Sequence, residues 1–64
     1  MMNKAEKEQI KKDMLEDART IKQFRVASAF YWLSGANPNM TIREAVEIVT
    51  ELRGLEGDEY PFVD

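Results

Sequence analysis

With 64 residues, 33% of them charged, a net charge of −3 and neither Cys nor His, the chain is close to the lower size limit for a domain that folds alone. No disulfide or thiolate zinc site is possible, and imidazole, the commonest metal ligand and general base, is missing. Of the usual supports for so small a chain, a partner is the one left.

The charge is unevenly spread. Residues 1–25 hold seven Lys/Arg against five Asp/Glu, and residues 26–64 hold two against seven. Met1 and Met2 run into a charged stretch, so no signal peptide is expected. No apolar run reaches the length of a bilayer, and a cytoplasmic protein is expected.

Residues 3–20 are strong helix formers without Gly or Pro, and Asn3 is placed to cap them. Ile10, Met14 and Ile21 fall on one stripe, which continues into Phe24, Ser28 and Tyr31. The segment Ile21–Leu33 carries the only Trp, Trp32, and is apolar nearly all round, so it needs cover on more than one side. No stop signal precedes Ser34. The spacing predicts one helix over 4–33, roughly 45 Å long at 1.5 Å per residue. A break near Asp17–Thr20 is the alternative, because those two residues suit a helix interior poorly.

In residues 34–40, Gly35 can close the first helix, and Pro38 forces Asn37 to be extended. Thr41 and Glu44 then form a capping box that opens a second helix over 42–53. Its apolar face is Ile42, Ala45, Val46, Val49 and Leu52, with Ile48 on the border, and Glu44, Glu47, Thr50 and Glu51 lie opposite. Gly54 ends it, and Leu55 packs back. Residues 55–64 form an irregular acidic tail in which Tyr60 and Phe62 project to the same side. Its rings either fold back onto the helices or serve as mobile anchors for a partner.

The fold class is therefore all-α: one domain, 1–64, a helical hairpin with an acidic tail. The second helix, roughly 17 Å long, covers only part of the first. Ile10 and Met14 remain bare, so two copies are expected to associate as a homodimer with a helical-bundle core. The expected interface is Ile10, Met14, Ile21, Phe24, Tyr31, Trp32, Tyr60 and Phe62.

No arrangement of nucleophile and base, phosphate loop or metal-ligand spacing is visible, so neither catalysis nor a cofactor is expected. Glu44, Glu47 and Glu51 read as a solvated helix face. Glu56, Asp58, Glu59 and Asp64 lack the spacing of a calcium loop. Nucleic-acid binding would need helix 42–53 as its reader, and the outward glutamates there have the wrong sign for phosphate. Arg19, Lys22 and Arg25 lie on the first helix instead. The net charge is modest for a nucleic-acid mimic, and acidic flanks disfavour a membrane. The sequence is thus read as a non-enzymatic protein–protein interaction module, a small regulator or inhibitor docking on a larger protein. A helix–turn–helix nucleic-acid-binding regulator is the alternative.

Overall fold

Thr41 starts the best-defined helix of the molecule. Its hydroxyl accepts from the Glu44 backbone N–H at 3.1 Å, and the Glu44 carboxylate accepts from the Thr41 N–H at 2.9 Å, so the capping box is complete. In the computed structural model, which describes residues 2–63 except Lys22 and gives Ile21 through its backbone alone, three helices are present among the described residues. They are α1 (Lys4–Ile21), α2 (Val26–Ala36) and α3 (Ile42–Arg53), followed by a 3-10 turn at Gly57–Glu59. The Asn3 side chain caps α1 by accepting from the Glu6 N–H at 2.8 Å.

The single helix over 4–33 is not formed. α1 ends at Ile21 and α2 begins at Val26, beyond the alternative break at Asp17–Thr20. Gln23 takes φ +77°, a left-handed conformation that costs an L-residue roughly 1–2 kcal/mol. Two backbone donors at the break find partners outside the regular helix pattern. The Gln23 N–H donates to Ala18 O at 2.8 Å and the Phe24 N–H to Pro61 O at 2.7 Å, while Phe24 O accepts from the Val63 N–H at 2.8 Å. Phe24 and Phe62 thus form an isolated parallel bridge.

Packing outweighs the backbone cost. A straight helix over 4–33 would be roughly 45 Å long, whereas the molecule measures 30 × 20 × 18 Å. Its radius of gyration, 10.9 Å, matches a globular chain of this length. Because the chain turns back, α3 packs on both α1 and α2. Met14 and Ala18 of α1, Phe24 of the break, Ala29 and Leu33 of α2, Ala45, Ile48, Val49 and Leu52 of α3, and Phe62 form one core. Fully burying a side chain such as Met14 stabilises by roughly 1.5–3 kcal/mol, so this residue alone offsets Gln23.

The same two-sided cover rotates the buried arc of α3. Ile48 is fully buried, whereas Ile42 and Val46, assigned above to the apolar face, are exposed. Gly35 does not end a helix: α2 runs through it to Ala36, and Asn37 closes the end, its N–H and its side-chain amide both donating to Leu33 O. Gly54 lies at φ −82°, so it does not supply a left-handed cap.

Two stability series check these elements. Thr41→Ala is expected to cost about 1 kcal/mol in chemical denaturation and Thr41→Ser almost nothing. At residue 23 the order of two variants identifies the backbone. In the left-handed conformation Gln23→Val is expected to be less stable than Gln23→Gly by about 1–2 kcal/mol, whereas in a helix interior glycine is the worse residue by a few tenths.

Candidate interaction surface

α2, VASAFYWLSGA, has no ionisable group other than the Tyr31 phenol in a chain where a third of the residues are charged. Its buried side is Ala29 and Leu33. The opposite side consists of Ala27, Ser28, Tyr31, Ser34 and Gly35, all exposed, with Tyr31 80% accessible at its centre. Half-buried Phe30 and Trp32 border this face. Trp32 is held from two directions: its indole N–H donates to the Asp17 carboxylate at 2.7 Å, and its ring meets Phe24 edge-on at 6.4 Å.

The residues expected to form an interface divide into three groups. Met14, Phe24 and Phe62 are 0%, 4% and 2% exposed and belong to the core of the single chain. The stripe expected to be bare on the first helix is therefore covered in cis, because the break turns Met14 onto α3. Ile10, Trp32 and Tyr60 are half-buried against that core, Tyr60 also packing edge-on to Phe62 at 5.7 Å. Tyr31 stands free on the surface. The side chain of Ile21 lies outside the described residues.

The acidic face of α3 is engaged rather than open. Glu51 accepts from Lys11 at 2.8 Å and also pairs with Lys7, which lies 3.5 Å from Glu47; Lys11 further reaches Glu8 at 2.7 Å. Hydrogen bonds from Lys11 and then Lys7 hold the Glu51 carboxyl below its usual pKa. The bond to Glu51 raises both ammonium groups. Glu44 is lowered chiefly by the Thr41 backbone N–H and then by that of Met2, which donates at 2.8 Å. This clamp was readable in principle, since Lys7/Lys11 and Glu47/Glu51 are both spaced i,i+4 and complementary, but only once α1 is known to lie on α3.

Among the described residues, no group of three or more Asp or Glu is arranged to hold a metal ion, and no helix is long and apolar enough to cross a membrane. No family model, no curated protein and no solved structure matches this chain.

The Glu51 pairs set a pH dependence. A carboxyl lowered by folding adds stability that is fully present above its unfolded pKa, about 4.3, and is lost as pH falls through the folded value. The raised lysines act in the opposite sense, and their contribution is lost as pH rises above about 10.4. Glu51→Gln is expected to lower the melting temperature at neutral pH, and the gap to the parent to close below about pH 4. Thermal melts from pH 3 to 8 read this directly.

Proposed function

We propose that this chain is a non-enzymatic protein–protein interaction module that docks on a larger protein through the outer face of α2 and regulates or inhibits it by covering a surface. The observation that carries this reading is Tyr31, 80% exposed at the centre of a helix face without a charge. A large aromatic with an apolar body and a polar tip suits an interface anchor, and charge depletion around it is the compositional mark of an interface core. The small residues beside it, Ala27, Ser28, Ser34 and Gly35, allow close approach by a partner backbone. Nothing meets a Cβ built at Gly35 within 4 Å.

The bare stripe from which the sequence predicts a homodimer is narrower than expected, since Met14 is buried and Ile10 is half-buried. The nucleic-acid alternative gains no support from α3, whose exposed side sets Glu47 and Glu51 beside Arg43. Retention of cellular proteins on the immobilised chain tests the proposal. Tyr31→Asp is expected to abolish retention of a protein that the parent holds, with circular dichroism and melting temperature unchanged. Equal retention by both chains, or salt-dependent retention on DNA instead, overturns it.

A further inference from the structure

We propose that the segment Tyr60–Val63 is a wedge that holds α1 and α2 apart, and that its release lets the two helices fuse into one. This is independent of what α2 docks on.

Three observations at the break point to a second state. Residues 22–25 contain neither Gly nor Pro, yet Gln23 stands at φ +77°, where L side chains rarely go. Arg25, the residue preceding α2, supplies no side-chain cap, and α2 has no acidic residue in its first turn, unlike α3 with its complete box. A helix start with no local support fits a segment whose unconstrained continuation is upstream. Finally, the apolar stripe of α1 continues in register through Phe24 into Tyr31, as a single helix requires.

Three of the bonds at the break come from one segment. Pro61 O takes the Phe24 N–H, Phe24 O takes the Val63 N–H, and Tyr60 O takes the Gln23 side-chain amide at 2.8 Å. Pro61 and Phe62 are buried behind these bonds. The seat is not fully filled: a crevice of about 70 Å³, lined by Leu15, Ala18, Gln23, Tyr60 and Pro61 among others, remains between α1 and the segment. The segment follows Gly57, itself at φ +64°, and the exposed residues Glu56, Asp58 and Glu59. When the segment leaves, Gln23 loses its side-chain bond and Phe24 its backbone pairing. Helical bonds through residues 22–25 then satisfy the same groups.

A distance measurement separates the two states. The chain has no Cys, so spin labels at Lys12→Cys and Ser34→Cys are unique. In a fused helix these positions are roughly 33 Å apart, beyond the 30 Å longest dimension of the closed molecule. The full-length parent is expected to show the shorter distance. Gln23→Ala, which favours helix at the hinge and removes the bond to Tyr60, is expected to add a population near 33 Å. Gln23→Gly, which relieves the left-handed backbone and disfavours helix, is expected to reduce it. The ratio of long to short populations should differ by roughly 20- to 100-fold between the two variants. Phe62→Ala is expected to increase the long population with helicity by circular dichroism undiminished. Identical distance distributions in Gln23→Ala and Gln23→Gly overturn the proposal, whether or not Phe62→Ala folds, and so does a folded Phe62→Ala that keeps the parent distance.

Discussion

The pairing of Phe24 with Phe62 is the constraint on which the rest of this structure depends. Two backbone hydrogen bonds and two buried rings tie the turn between α1 and α2 to the far end of the chain. With the turn in place, α1 lies along α3, and Met14 and Ala18 join the core. Small domains have little surface to bury, so a core fed by every element matters more here than in a larger protein. Among the described residues, the buried hydrophobics come from α1, the break, α2, α3 and the C-terminal segment.

Charge plays a secondary role, setting how α1 sits on α3. Lys7 and Lys11 are one turn apart and share Glu51, with Glu47 and Glu8 at the margins. Exposed pairs of this kind contribute little individually. Their value is orientation: reversing α1 would set Lys7 and Lys11 away from Glu51. Glu44 adds to this, accepting from Met2 N–H while it completes the box with Thr41. These contacts pair the exposed acidic side of α3 with lysines of α1, while the uncharged side of α2 faces out.

How much of this was legible in the sequence depends on the range of the interaction that decides each element. The Asn3 cap, the Thr41–Glu44 box and the extent of helix 42–53 are local, and each is found where its residues indicate. The break is not local. Lys22–Arg25 is helix-permissive, and its deciding partner, Pro61 to Val63, is far away in sequence, so periodicity carried the helix straight through. The errors at Ile42, Val46 and Ile48 follow from the same cause. A helix wheel centres one buried arc on the densest apolar side, whereas α3 is covered by α1 and α2 together, which shifts the arc toward Ile48. Of the expected interface residues whose side chains are described, Tyr31 alone is fully on the surface. An apolar residue at helical spacing gives the same signal whether its cover comes from its own chain or from another.

The placement of Trp32 has an optical consequence. It is the only indole in the chain, and it touches α1 through Asp17 and the break through Phe24 while belonging to α2. Asp17 and Trp32 are 15 positions apart, a span of roughly 22 Å along an unbroken helix, so their hydrogen bond exists only while the chain is folded back. Loss of that bond, together with departure of the Phe24 ring edge, changes the polarity around the indole and shifts its emission. The unlabelled protein therefore carries its own fluorophore at the joint between its first two helices, free of background from any second tryptophan.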